Sequence, residues 1–466
     1  MIDNDKIKGD PARLFPVVAD TSKEGRALSI FLACMTNVFE FGQNMLGSVG
    51  QRVGSRAKMA AYCEVKFPKD KISAKDRPDG LLILKVGSRT WSALFEAKVG
   101  RATINPEQMD RYVRLAQRNG IDAVISISNE FATFPDQPPY NVPNSIKTVS
   151  VYHWSWMHIM TEANLLSDDD RVTDKDQGFI LREFLRYLRH DSTGASGFDQ
   201  MNAEWSDLVS LIQKDGIPKK GSPEIENTIA AWHQETRDLE LVLSRKTGRN
   251  VELRIPRAHQ SDRKKRLKDD TEQLVTDKFL SATFAIPDAA APLEICANLA
   301  TRTIQASMRL KAPLDKKSAS ARINWLLKQI KTDHEDENRK FSIRDEDLSV
   351  RAIWPGSAPY TQKPLPVVRE DIDSISHEDR SKAPTSFEVL MSVGDGRSFG
   401  GRQKFIQLLE ESVPDFYELV GQNLKPWQAP APKVRKSAPD EDELQDVDLS
   451  GRDMNESSSS DDFGAA

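Results

Sequence analysis

The chain has 466 residues, enough for two or three domains with real cores, and its hydrophobic fraction of 38% and mean hydropathy of -0.53 predict a soluble protein. No apolar run approaches the ~20 residues that cross a bilayer, and no basic segment followed by an apolar stretch opens the chain. Three scattered cysteines (Cys34, Cys63, Cys296) make neither a disulfide framework nor a CxxC knuckle, which fits a reducing cytoplasm, and the net charge of -5 divides into -9 on residues 440–462 and +4 elsewhere.

Residues 1–23 read as an N-terminal arm. From Arg26 to Val49 apolar residues recur at helical spacing (Leu28, Phe31, Leu32, Met35, Val38, Phe39, Met45, Leu46), which predicts one long amphipathic helix. A strand at 61–67 and a charged loop follow, and then strands at 79–86 and 90–99 joined by Gly87 and Ser88 in a hairpin turn. Asn105 as cap, Pro106 at the first helical position and Gly120 as stop mark out a helix. Residues 121–128 form a continuous apolar strand of the kind buried on both faces. A further strand at 147–152, a Trp-rich segment and a helix from about Gln177 to His190 complete the unit. The order helix, strand, strand, strand, helix, strand predicts an α/β domain over 24–192, with a mixed sheet covered by helices.

Residues 193–245 read as a helical connector with helices near 199–214 and 223–244. A C-terminal α+β domain for binding or regulation is expected over 246–427. Its strands fall at "NVELRIP", "KFLSATFAI", "LEICANLAT", "TIQASMRLK", "LSVRAIW" and "SFEVLMSV", and its helices at "SASARINWLLKQI" and 402–420. The Pro-, Ser- and acid-rich residues 428–466 read as a disordered tail.

Chemistry concentrates at the hairpin "RPDGLLILKVGSRTWSALFEAKVG", residues 77–100. Side chains two apart on a strand share a face, so Glu96 and Lys98 point together, and the tight turn returns Asp79 to their end of the sheet. Two carboxylates and one ammonium then meet on one patch. Carboxylates so placed repel each other unless a cation lies between them, and Mg²⁺ takes one or two carboxylates and keeps several waters. A lysine beside such a site can lower the cost of forming hydroxide and can offset charge that builds on a phosphate.

"PDG" at 78–80, sixteen intervening residues and "EAK" at 96–98, within this order of elements, resemble the PD-(D/E)XK nuclease superfamily over about residues 24–190. The resemblance implies a restriction-endonuclease-like core in which Asp79, Glu96 and the Ala97 carbonyl bind Mg²⁺, with Mn²⁺ able to substitute. Lys98 is then the catalytic base or electrostatic element. Gln108 and Tyr112, four apart on the helix that follows, resemble the Gln-xxx-Tyr motif of the RecB-like branch. The family also implies a further acid, for which Glu64 and Glu40 are the candidates. The expected activity is metal-dependent hydrolysis of phosphodiester bonds by a cytoplasmic DNA endonuclease of defence, restriction or repair. Such an enzyme would work as a homodimer or under a partner's control. The rival reading is a catalytically silent nuclease-fold protein that binds nucleic acid or protein.

Arg263, Lys264, Lys265, Arg266 and Lys268, beside Arg254 and Arg257, are candidate contacts to nucleic-acid phosphates. Trp154 and Trp156 with His153 and His158 are expected to be core. "DDDRVTDKDQG" is expected to cap the next helix rather than to bind calcium, and "SVGDGRSFGGRQKF" to be a turn leading into a helix. No GxxxxGK[ST] motif is present, so any DNA unwinding must come from a partner.

Overall fold

The computed structural model describes residues 8–15, 22–67, 77–141, 148–168, 171–260, 262–331, 343–356, 360–394 and 396–428. The charged loop at 68–76 and the acidic tail beyond Gln428 lie outside them. The described chain is α/β, with one mixed and one antiparallel sheet flanked by helices.

The first half runs β1 (Lys8–Pro11), α1 (Lys23–Asn37), α2 (Phe39–Gly47), β2 (Lys58–Lys66), β3 (Gly80–Val86), β4 (Arg89–Ala97), α3 (Pro106–Asn119), β5 (Ala123–Ser128), β6 (Ser150–Ser155), α4 (Trp156–Asp168) and α5 (Lys175–Leu188). Its six strands lie in chain order, antiparallel from β1 to β4 and parallel from β4 to β6. Alternation along the strands divides two cores. Leu82, Phe95, Ala97, Ile125 and Ile127 join the helices α1, α2, α4 and α5, whereas Leu81, Leu94 and Val124 meet α3. Phe31 centres the first core, with the rings of Phe41, Phe95, Trp154, Trp156 and Phe184 all within 6.5 Å of its own. Trp154 and Trp156 are therefore core, as their setting in the sequence predicts.

The expected long helix is two. Thr36 Oγ1 and Asn37 Nδ2 both donate to the Ala33 carbonyl, at 3.0 and 2.7 Å, and Val38 turns extended. These side chains crowd the last turn, and the helical ladder runs only as far as the Val38 N–H, which still reaches the Cys34 carbonyl at 2.8 Å. The Phe39 N–H is satisfied instead by Gln177 Oε1 at 2.8 Å. The punctuation of α3 holds: Asn105 Oδ1 accepts from the backbone of Glu107 and Gln108, and Gly120 ends the helix in the left-handed region. Asp174 caps α5 by accepting from Asp176 and Gln177, so that acidic loop serves the helix.

The second half runs α6 (Trp205–Gln213), α7 (Pro223–Thr247), β7 (Glu252–Leu253), α8 (Arg257–Gln260), α9 (Arg263–Asp277), β8 (Phe279–Ala285), β9 (Leu293–Asn298), β10 (Thr303–Lys311), α10 (Ala319–Leu327), β11 (Leu348–Ile353), β12 (Thr361–Pro364), α11 (Leu365–Glu370), β13 (Ser386–Val393), α12 (Gly396–Gly400) and α13 (Arg402–Leu419). Its seven strands pair antiparallel throughout, in the order β12-β11-β13-β10-β9-β8-β7. The expected strand "NVELRIP" shrinks to two residues. The stretch expected as a turn near 394–401 contains the short helix α12, because Phe399 buries its ring against Trp205 and Phe405. Helix α7 packs on both halves: its Leu241 enters the first core, while Leu239 and Leu243 enter the second.

Candidate active site

Gly80 of β3 is paired with Phe95 of β4, which sets Asp79 across from Glu96 at the mouth of the hairpin. The Asp79 carboxylate accepts the Ala97 N–H at 3.0 Å. The strand passes close under α1 there: a Cβ on Gly80 would stand 2.9 Å from Leu32 Cδ1. Glu96 is 1% exposed, and its Oε1 receives Lys98 Nζ at 2.5 Å. The ammonium also reaches the Ala97 carbonyl at 3.3 Å and Glu24 Oε2 at 3.6 Å.

Asp79, Glu96 and Lys98 thus meet, as the hairpin reading predicts, and Glu24 joins them. Glu24 sits in the first turn of α1, where the sequence reading misses it because the helical stretch is read from Arg26 and its apolar stripe from Leu28. An acid two residues after Ser22, in a first turn where the helix dipole favours negative charge, was the available signal. The two acids considered instead stand elsewhere. Glu64 lies at a positive φ of 51° with its side chain 60% exposed, paired with Arg77 at 2.8 Å. Glu40 accepts from Thr173 through both backbone and hydroxyl.

Charge at the site is unbalanced. Burial, and after it the neighbouring Glu96, push the Asp79 carboxyl up to about 8, and the Ala97 N–H and Lys98 offset this only in part. Burial works against the charge on Lys98, but Glu96, Asp79 and Glu24 together outweigh it and hold its pKa above the ordinary lysine value. Gln108 and Tyr112 share one face of α3 as predicted. Gln108 Nε2 donates to Tyr112 Oη at 2.9 Å, and that hydroxyl donates to the Arg77 carbonyl at 2.9 Å. The pair therefore holds the segment that leads into Asp79. Burial, and then the charge of Glu96, keep the Tyr112 phenol protonated.

Glu96 Oε2 is buried and has no hydrogen-bond partner. Its neighbours explain this. Ser126 lies beside Glu96 in register on β5, and His153 beside Ser126 on β6. His153 Nε2 contacts the Glu130 carbonyl at 2.8 Å, so that nitrogen carries the proton and Nδ1, 2.8 Å from Ser126 Oγ, is an acceptor. Burial drops the His153 pKa to about 4, which keeps the ring neutral. Ser126 Oγ also lies 3.2 Å from the Tyr152 carbonyl and 2.7 Å from the Tyr140 hydroxyl, so its hydrogen bonds are all made within this row. No donor in this row is turned toward Glu96. An orphaned carboxylate oxygen beside a second acid whose charge is disfavoured is a setting that a hard cation fits. Among the described residues no group of three or more His, Cys, Asp and Glu is clustered as a metal site. The groups at the hairpin mouth that could face a cation are the two carboxylates of Asp79 and Glu96 and the Ala97 carbonyl, and Mg²⁺ typically binds through one or two carboxylates.

The basic cluster on α9 divides. Lys265 is bound to Asp269 at 2.6 Å, and Arg266 donates to Thr133 Oγ1 at 3.0 Å, fastening α9 to the loop after β5. Lys264 and Lys268 are exposed, as are Arg254 and Arg257, and no ion pair involves these four among the described residues. The side chain of Arg263 lies outside the described residues. No family model, curated protein or solved structure matches the chain.

Proposed function

We propose that the protein is a metal-dependent nuclease with a restriction-endonuclease-like core, hydrolysing phosphodiester bonds of DNA in the cytoplasm. The observation that carries this reading is the meeting of Asp79, Glu96 and Lys98 at the hairpin mouth, with Glu96 Oε2 buried and unpartnered. Asp79, Glu96 and the Ala97 carbonyl would hold Mg²⁺ or Mn²⁺, which supplies Lewis acidity and an acidified water. Lys98 donates toward the scissile phosphate and the attacking water, offsetting negative charge that develops there. Glu24 keeps the ammonium of Lys98 over the site, and Gln108 with Tyr112 fixes the backbone that carries Asp79. Lys264, Lys268, Arg254 and Arg257 offer exposed positive charge to the DNA backbone. DNA cleavage in Mg²⁺ that stops in EDTA, and that falls at least ~100-fold in Lys98→Ala, is the expected result with plasmid and linear substrates. Cleavage without metal, or unchanged in Lys98→Ala, overturns the mechanism. DNA binding with no cleavage in any divalent metal favours a silent, nuclease-fold binding protein.

A further inference from the structure

We propose a second ligand site in the C-terminal half, a pocket at the end of β10 that takes a nucleotide, with its base on Trp427 and its phosphate on Arg309 and Lys311. The cavity measures about 590 Å³, within the ~300–1,000 Å³ usual for small-molecule sites, and Leu314 and Ser386 also line it. Arg309 and Lys311 alternate along β10 and so project from one face of the sheet, about 6–7 Å apart along the strand.

Among the described residues neither cation makes an ion pair. Arg309 turns Nε and Nη2 to the Ser386 hydroxyl, each at 3.3 Å, which orients the guanidinium without neutralising it. Glu388 stands opposite Arg309 in the sheet, and its Oε2 is paired with Arg351 at 2.7 Å rather than with Arg309. No ion pair to Arg309 or Lys311 is present among the described residues, and both side chains are exposed. Two like charges side by side on a strand repel, and a phosphate between them relieves that repulsion while accepting from both.

Beside the cations stands an aromatic face. Trp427 Nε1 donates to Asp315 Oδ1 at 2.9 Å, which holds the half-buried indole in place. Leu314, 59% exposed, extends the apolar side of the cavity. An indole anchored by that hydrogen bond next to paired cations suits a ligand that carries a flat ring and a phosphate on one frame, and every nucleobase presents such a ring. The nucleotide could be free or part of a single strand, since the recognising chemistry is the same.

Calorimetry on the full chain in EDTA tests this, with AMP, adenosine, inorganic phosphate and a short oligo(dA) as probes. EDTA separates the outcome from any metal at Asp79 and Glu96, so the test does not depend on the nuclease reading. Saturable AMP binding is expected, with adenosine and phosphate each at least tenfold weaker. Arg309→Gln should weaken AMP at least tenfold, Trp427→Ala likewise, and Trp427→Phe should retain binding. Competition by oligo(dA) assigns the nucleotide to a strand, and its failure to compete assigns a free nucleotide; either supports the site. Absence of saturable binding by AMP and by oligo(dA), AMP affinity unchanged in Arg309→Gln, or phosphate binding as tightly as AMP overturns it.

Discussion

Replacing Asp79 with Asn should make the metal-free protein more stable while removing its response to metal. The Asn carbonyl can still accept the Ala97 N–H, so the main change is the loss of a charge that burial and Glu96 both disfavour. The carboxyl rises from ~3.9 in an unfolded chain to about 8 in the fold. At ~1.4 kcal/mol per pH unit this sets a ceiling of roughly 5–6 kcal/mol, which partial solvent access and linkage to Glu96 reduce; about 1–2 kcal/mol is the expected gain. The sign follows from linkage. A raised carboxyl pKa means the folded state holds its proton longer, so wild-type stability is fully present below pH ~4 and is lost as pH rises toward 8. The gain from Asp79→Asn should therefore be small at pH 5 and full at pH 8. Urea melts in EDTA at both pH values measure it. Mg²⁺ at 100 times its dissociation constant should then add about 2.7 kcal/mol to the wild type and little to Asp79→Asn. Equal stability of the two proteins at pH 8, or equal stabilisation of both by Mg²⁺, would refute the charge argument.

Glu235 on α7 is fully buried, and neither of its oxygens has a partner; burial, then Glu410 and Asp238, push its carboxyl well above the usual range. Glu235→Gln should raise stability by about 1–3 kcal/mol at pH 8 and by less at pH 5, as read from urea midpoints at the two pH values. On α9, Lys264→Glu with Lys268→Glu should weaken DNA binding and flatten its salt dependence, by about 0.9 in log–log slope per lost phosphate contact. Lys265→Ala, whose ammonium is already held by Asp269, should change that slope least when titrated against salt by fluorescence anisotropy.

What could be read from the sequence was whatever local physics decides. The α3 helix announced itself because Asn105, Pro106 and Gly120 each do one job at a fixed position, and the hairpin because Gly87 takes a φ of 60° in a two-residue turn. The pairing of Asp79 with Glu96 followed from that turn. The break at Val38 did not, since the apolar stripe runs through it unbroken and the decisive contact is a glutamine 138 residues from Phe39 that takes its N–H. Glu24 escaped for the same kind of reason. Only the docking of α1 over β3, with Gly80 against Leu32, carries the first turn of that helix to Lys98. The row from Glu96 through Ser126 to His153 needed the parallel register of β4, β5 and β6, which no stretch of sequence states.

That row and its surroundings show how the end of β4 is kept in place. Lys98 stands just beyond the strand, yet its N–H is bonded to the Ile127 carbonyl and its own carbonyl accepts from Trp156 Nε1, both at 2.8 Å. Two residues on, the Gly100 N–H bonds the Gly194 carbonyl, and Asn129 Nδ2 donates to the carbonyls of both glycines. Asn129 Oδ1 then accepts from the Ser196 N–H, which ties in the segment leading to α6. Gly194 is needed at that crossing: its φ is 75°, and a Cβ would stand 3.0 Å from the Gly100 nitrogen. A backbone held on both sides of Lys98 leaves the side chain as the main freedom, and Glu96 and Glu24 restrict that. Under the proposed function Lys98 gains from such support, because positioning within about 0.5 Å decides the effect of a catalytic group.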